Sequence, residues 1–162
     1  MKKGESDMLV NEYIAKINEN GSTYLHVIRS FESNQEQLDK PEKAVEFINE
    51  IFDAENLAEE HVYLIGVNNK TRPIGVFETS HGTCSTVILN PREILLRLLL
   101  LGASFGIILH NHPSGDSSAS DADINATGRL YEAANILNIP ILDHIIIGKN
   151  KFFSFAEHDW LK

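Results

Sequence analysis

The residues best suited to chemistry lie between His110 and Asp123, where two histidines, several serines and several aspartates follow an apolar run. His110 and His112 stand two positions apart at the end of a predicted strand, so both side chains project to one side and can reach one metal ion. Open catalytic zinc sites commonly use three protein ligands and leave a position for water. Asp123 is the natural third candidate, because the turn at 113–115 reverses the chain and the next helix would present its first turn to the strand end.

The same serines and aspartates also fit a purely structural interpretation. Ser120-x-x-Asp123 has the pattern of a capping box, in which both side chains satisfy free amides at a helix start. Ser118-x-x-Asp121 offers a second box of the same kind. A His-x-His pair is a weak signal alone, and a Ser/Asp pair is more often a cap than a set of ligands. The wider pattern must therefore decide between the two interpretations.

The complete string, His-x-His-Pro-Ser-Gly followed by Ser-x-x-Asp, resembles the signature of the JAB/JAMM (MPN) metallopeptidases, and specifically of their bacterial RadC-like branch. Three further segments are similar to that branch and occur in the same order: the helix start at 90–94, the strand at 142–148 and the ending at 153–157. The resemblance extends over roughly residues 41 to 160. One departure is Ala119, which stands where the branch usually has proline before the serine.

This resemblance implies a zinc-dependent hydrolase that cleaves peptide or isopeptide bonds in a peptide or protein substrate, with one Zn²⁺ per chain. It implies that the zinc ligands are His110, His112 and Asp123. It also implies that Ser120 donates a hydrogen bond to the water at the metal or to the developing oxyanion. The fold that it implies is the three-layer JAB/MPN-like architecture, which is similar to that of cytidine deaminases.

A glutamate just before a hydrophobic strand completes the family pattern, and Glu60 occupies that place. Its carboxylate would take a proton from the attacking water and pass it to the leaving amine. Glu59 is the alternative, but neighbouring strand residues face opposite sides, so only one of the two can face the site. The distance from the Leu64-Ile65-Gly66 stretch favours Glu60.

Composition limits the remaining possibilities. A chain of 162 residues with a net charge of −9 and no cluster of Lys and Arg predicts one domain on which nucleic-acid binding is disfavoured. The single Cys84 cannot supply a thiolate cluster, so a metal site must use His, Asp and Glu. The start of the chain leads into no signal-peptide run, and the apolar stretch 94–109 is too broken to span a membrane, so we expect a cytoplasmic protein. The sequence assigns no oligomeric state.

The elements around the motif follow from periodicity and turn residues. We predict an N-terminal arm or hairpin over residues 1–40, in which the Asn-Gly-Ser turn at 20–22 joins strands at 13–17 and 24–28, and a RadC-like domain over 41–162. Within that domain we expect an α/β (α+β) fold, with a mixed sheet flanked by helices. The predicted helices cover 42–55, 91–101 and 120–137, and the predicted strands cover 61–67, 73–79, 85–89, 104–109, 141–147 and 151–155.

Other histidines have less specific signals. His144 and Asp143 lie in an apolar strand and are expected to form a structural, hydrogen-bonded pair, and His81 is expected to be an ordinary turn histidine. A nucleobase deaminase is excluded because it needs a Pro-Cys-x-x-Cys element. The main alternative is an accessory protein in DNA repair or recombination with a zinc-binding MPN scaffold. We expect that role to be weakened by the acidic charge and by the lack of a helix-hairpin-helix match in the first 40 residues.

Overall fold

The computed structural model describes residues 8–82 and 89–161. The described residues form one mixed sheet of seven strands in the order β2-β1-β4-β3-β5-β6-β7, with three α-helices. The elements in chain order are β1 Met8–Ile17, β2 Thr23–Ser33, α1 Pro41–Phe52, β3 Glu60–Val67, β4 Pro73–Gly82, α2 Pro91–Leu101, β5 Phe105–Asn111, α3 Asp121–Ile136, β6 Ile141–Gly148 and β7 Lys151–Ser154.

Helices cover both faces of the sheet. Alternate residues of β3 point to opposite faces, so Tyr63 and Ile65 pack with α1, whereas Val62 and Leu64 pack with α2 and α3. Each face carries its own apolar cluster, and burial of these side chains is the main stabilising term. The predicted fold class is confirmed: the described residues form a three-layer α+β domain around a mixed sheet.

Most predicted elements are present, with shifts of a few residues at their ends. The N-terminal strands form an antiparallel hairpin, and β1 continues the main sheet by pairing in parallel with β4 at Glu12 and Val76. Helix α1 ends at Phe52 because Asp53 adopts a left-handed conformation with φ 51°, after which the chain forms a short 3₁₀ helix. The strand predicted at 85–89, and Cys84, fall largely or wholly outside the described residues. Among the helices described, none is long and apolar enough to cross a bilayer.

Strand pairing positions the candidate residues. β5 lies next to β3 in antiparallel orientation, with His110 opposite Val62, so the end of β5 meets the start of β3. β6 lies on the other side of β5 in parallel orientation, with His144 opposite Ile108. Helix α3 follows the loop after β5 and packs on the face that carries Val62 and Leu64. The ends of three elements therefore meet at one point of the sheet.

Candidate metal centre

His110, His112 and Asp123 come together at this point. The Nε2 atoms of His110 and His112 are 2.9 Å apart, and Asp123 Oδ1 lies 3.4 Å from His110 Nε2. Asp123 Oδ2 lies 3.8 Å from His112 Nε2. Ligands at ~2.0–2.1 Å from a tetrahedral zinc ion stand roughly 3.3 Å from one another. The three side chains therefore have a spacing that a zinc ion could bridge with small adjustments.

The centre is deeply buried on one side. His110 is 0% exposed and Asp123 is 1% exposed, whereas the side chain of His112 is 16% exposed. Burial lowers the pKa of His110 to about 3, so its imidazole is neutral near pH 7. A neutral imidazole is the form that binds a metal.

A chain of hydrogen bonds sets which nitrogen of His110 carries the proton. The Thr127 hydroxyl lies 2.6 Å from the carbonyl oxygen of Asp123, which can only accept, so that hydroxyl must donate there. His144 Nδ1 lies 2.5 Å from the same hydroxyl and therefore donates to it. His144 Nε2 is then an acceptor, and at 2.8 Å it takes the proton of His110 Nδ1. His110 Nε2 is left with its lone pair facing the centre.

A single hydrogen bond orients the ring of His112. Its Nδ1 lies 2.7 Å from the carbonyl oxygen of Asp116, to which it donates. In the neutral form of His112, its Nε2 also presents a lone pair, opposite the lone pair of His110 Nε2. Two acceptor atoms in contact with no proton between them repel each other. A shared cation removes that repulsion, and such outer hydrogen bonds are typical of histidines that bind metals.

Glu60 borders the centre from β3. One carboxylate oxygen lies 3.6 Å from His112 Nε2, and the other is buried without a hydrogen-bond partner. Burial raises the pKa of Glu60; the neighbouring imidazole of His112 opposes that rise, and the carboxylate of Asp123 adds to it. Ligating atoms of Glu60, His110 and His112 lie within 4.8 Å of one another, so Glu60 could also hold a metal. We favour Asp123 as the third ligand because it lies close to both imidazoles, which leaves Glu60 with a free oxygen for a proton.

Asp123 and Ser120 form the capping box as well. Asp123 Oδ2 accepts from the Ser120 amide at 2.8 Å and from its hydroxyl at 2.6 Å, and Ser120 Oγ accepts from the Asp123 amide at 3.1 Å. The cap occupies Oδ2 and leaves Oδ1 turned toward His110, so cap and ligand are compatible roles. The predicted second box is wrong, because Ser118 bonds to Asp116 instead. The Ser120 proton is engaged with Asp123, and its role toward a reacting oxygen stays a prediction.

Asn111, between the two histidines, has a role that the sequence did not reveal. Its side chain accepts from the His61 amide at 2.8 Å and donates to the Glu59 carbonyl at 2.9 Å. These bonds continue the β3–β5 pairing beyond Val62 and fix the backbone on both sides of Glu60. The sequence does carry one indication: Asn111 stands between His110 and His112 on a strand, so its side chain must face the opposite side from theirs.

Two histidine predictions need correction. His144 and Asp143 do not pair through their side chains, because neighbours on a strand face opposite sides: His144 contacts His110, whereas Asp143 accepts from Ser154 Oγ at 2.6 Å. His81 does not lie in a turn. It lies in β4 and pairs with His61 of β3 across the sheet. The sequence did not reveal either contact, since both depend on the register between strands: β5 with β6 for His144, and β3 with β4 for His81.

A cavity of about 440 Å³ opens elsewhere, on the α1 face of the sheet. Its walls are largely apolar and include Ala44, Ile107 and Ile145, with Asp143 and Glu157 among its polar residues. It shares no residue with the group of His110, His112, Asp123 and Glu60. That group is the stronger candidate for a metal centre, because two imidazoles and two buried carboxylates converge there.

The fold and this group of residues define a class: a three-layer α+β domain of the JAB type with a candidate His/His/carboxylate metal centre. The sequence model of the RadC-like JAB domain family matches residues 38–160, and the chain belongs to that family. It is 38% identical over 133 residues to a UPF0758 protein of Clostridium acetobutylicum, covering 82% of this chain and 56% of the relative.

Two further relatives also match only part of their own length. A UPF0758 protein of Desulforudis audaxviator is 44% identical over 95 residues, which is 59% of this chain and 41% of that protein. A UPF0758 protein of Bacillus licheniformis is 39% identical over 121 residues, which is 75% of this chain and 53% of that protein. The chain thus spans about half the length of the curated relatives it matches.

Proposed function

We propose that this domain is a zinc-dependent hydrolase of amide bonds in peptides or isopeptide-linked proteins. The observation that carries the proposal is the pair of Nε2 atoms of His110 and His112, 2.9 Å apart, with the Asp123 carboxylate beside them. Nitrogen and carboxylate donors of this kind suit zinc. His110, His112 and Asp123 would hold the ion, and the partly exposed side of His112 would leave room for water and substrate.

The chain's own residues supply the proton transfers. When bound, zinc lowers the pKa of a coordinated water toward neutrality and polarises a carbonyl group. Glu60 would accept the proton of the attacking water with its unpartnered oxygen and deliver it to the leaving nitrogen. The raised pKa of Glu60 brings it nearer to the working pH, which suits a group that must both accept and release a proton. Asn111 would hold the Glu60 backbone in register with the two histidines.

Glu60→Gln is the variant that tests this function. Loss of the proton acceptor should lower kcat by roughly 10²–10⁴-fold. Zinc content should remain at the wild-type value, since Glu60 is not assigned as a ligand. Zinc would be measured by plasma mass spectrometry, and cleavage by new termini in a digest of unstructured protein and in isopeptide-linked peptides. Glu42→Gln, an exposed change in the first turn of α1, is the matched control and should leave both quantities unchanged.

The outcomes separate metal binding from catalysis. Zinc retained by the wild type with no cleavage of any amide probe would defeat the hydrolase proposal and leave the metal centre intact. Loss of zinc in Glu60→Gln would make Glu60 a ligand rather than the base. The alternative of a DNA-linked accessory protein has the net charge of −9 against it.

A further inference from the structure

A second group of side chains that could hold a metal ion lies on the opposite face of β3 from Glu60. Glu59, His61 and His81 each offer a ligating atom within 4.8 Å of the others. His61 and His81 face each other across the β3–β4 pair, and their rings stack with centroids 4.2 Å apart. Glu60 lies between Glu59 and His61 in sequence and points to the first centre. The two groups of side chains therefore lie on opposite sides of the start of β3.

His61 is oriented as a metal ligand would be. Its Nδ1 lies 2.9 Å from a carboxylate oxygen of Glu78 and donates to it, which leaves Nε2 as the free ligating nitrogen. A carboxylate behind an imidazole is the usual outer partner of a metal-binding histidine, because it fixes the ring and raises its basicity. The side chain of His61 is only 13% exposed, so its orientation is further fixed by packing.

His81 and Glu59 supply the outer side of the group. His81 Nε2 is hydrogen-bonded to the Glu59 carboxylate, and their side chains are 53% and 60% exposed. An exposed pair of this kind contributes little to folding by itself. The three ligating atoms already lie within 4.8 Å of one another, and rotamer changes of the two exposed side chains would let them adjust to the roughly 3.3 Å separation of ligands around a tetrahedral ion.

We propose that Glu59, His61 and His81 form a second binding site for a divalent transition metal such as Zn²⁺, separate from the centre at His110. The ion would replace the proton that His81 shares with Glu59, and Glu78 would support His61 from behind. Two imidazoles and a carboxylate match the preferences of zinc, nickel and copper rather than those of magnesium or calcium. The bound ion would tie the start of β3 to the end of β4.

The site has a physical link to the first centre. Asn111 bonds to the backbone of both Glu59 and His61, and its chain neighbours are His110 and His112. Fixing Glu59 and His61 on one face also fixes the backbone of Glu60 on the other. We therefore expect an ion at the second site to order the segment that carries the proposed base.

The test is a zinc titration of the full chain by equilibrium dialysis with elemental analysis. The wild type should bind two Zn²⁺ per chain. His81→Ala, a change at an exposed side chain that leaves the core intact, should bind one, as should the His61→Ala/His81→Ala double variant. His110→Ala should also lose one equivalent, and His81→Ala/His110→Ala should lose both. His26→Ala, an exposed histidine on β2, is the matched control and should retain two.

These measurements of zinc binding do not depend on whether the protein is a hydrolase. Saturation of the wild type at one ion that is lost in His110→Ala and kept in His81→Ala would overturn the second site. Two ions that remain in the His61→Ala/His81→Ala variant would do the same. A single ion lost only in the His81 variants would support the second site and overturn the first. Zinc-induced shifts of the His61 and His81 ring signals in NMR spectra would place the ion directly, and their absence at saturation would contradict the assignment.

Discussion

At the scale of single residues, the chemistry rests on which imidazole nitrogens keep their lone pairs. His110 and His112 both present Nε2 to the candidate centre, but different groups fix the two rings. His144 and Thr127 fix His110, and the backbone carbonyl of Asp116 fixes His112. His110 depends on a longer chain of hydrogen bonds than His112. A change at the far end of that chain should therefore reach the metal centre.

Thr127→Val tests this chain of hydrogen bonds. The variant keeps the volume of the side chain but removes the oxygen that accepts the His144 Nδ1 proton, so His144 no longer has one favoured tautomer. Zinc affinity, measured by competition with a chromogenic chelator, should fall by about 10–100-fold. Thr23→Val on the edge strand β2 is the control. Equal zinc affinities in the Thr127 variant and the wild type would show that this chain of hydrogen bonds does not set the His110 tautomer.

The candidate ligands could be predicted from sequence, whereas their supporting residues could not. The resemblance is sufficient to propose the four candidates. Three of them lie in one short motif, His110 to Asp123, and the fourth, Glu60, precedes a recognisable strand. His144 is 34 residues away from His110, and the contact depends on the parallel register of β5 and β6. Register between strands distant along the chain is a tertiary property that local patterns do not contain.

At the scale of elements, the neighbouring strands β5 and β6 each carry two buried polar side chains: His110 and Asn111 on β5, and Asp143 and His144 on β6. Asp143 on β6 faces the cavity on the α1 side and is 7% exposed. Burial raises its pKa from 3.8 to about 6, although Ser154 and the Ala156 amide donate to it. The folded protein therefore holds the Asp143 proton more tightly than the unfolded chain does.

A pH dependence of stability follows from Asp143. Because its folded pKa is raised, the favourable contribution is present below pH ~4 and is lost as the pH rises through about 6. The free energy of unfolding of the wild type should fall by about 2–3 kcal/mol more than that of Asp143→Asn over this range. Urea titrations in EDTA at several pH values measure the difference. Parallel pH profiles for the two proteins would contradict it.

The elements themselves were largely predictable, and their order in the sheet was not. Asn90 accepts from the Arg92 amide at 3.1 Å and Pro91 opens α2, as the capping pattern indicates. Alternation of apolar residues likewise indicates β3. The parallel pairing of β1 with β4 has no local signal, because it joins Glu12 to a residue more than 60 positions away.

At the scale of the whole molecule, the sheet separates two chemical environments. The face under α2 and α3 carries the centre at His110, while the α1 face carries the second group of ligands and the cavity. Since His110 lies in β5 and Asp123 lies in α3, an ion bound between them links the sheet layer to a helix layer. Such an ion should stabilise the folded state as a whole.

Thermal unfolding measures that stabilisation. A ligand that binds only the folded state at 100 times its Kd contributes about 2.7 kcal/mol. For a domain of this size that corresponds to a rise in Tm of about 5–10 °C. The His81→Ala background isolates the centre at His110, and the rise with zinc should vanish when His110→Ala is added. A rise that persists in the double variant would place the stabilising ion elsewhere.

The central claim is that His110, His112 and Asp123 hold one metal ion, and a crystal structure with anomalous scattering at the zinc edge tests it most directly. Crystals grown with zinc should show a peak within about 2.0–2.2 Å of His110 Nε2, His112 Nε2 and Asp123 Oδ1. A fully occupied peak that leaves Asp123 uncoordinated, or the absence of a peak between the two imidazoles at saturating zinc, would contradict the account.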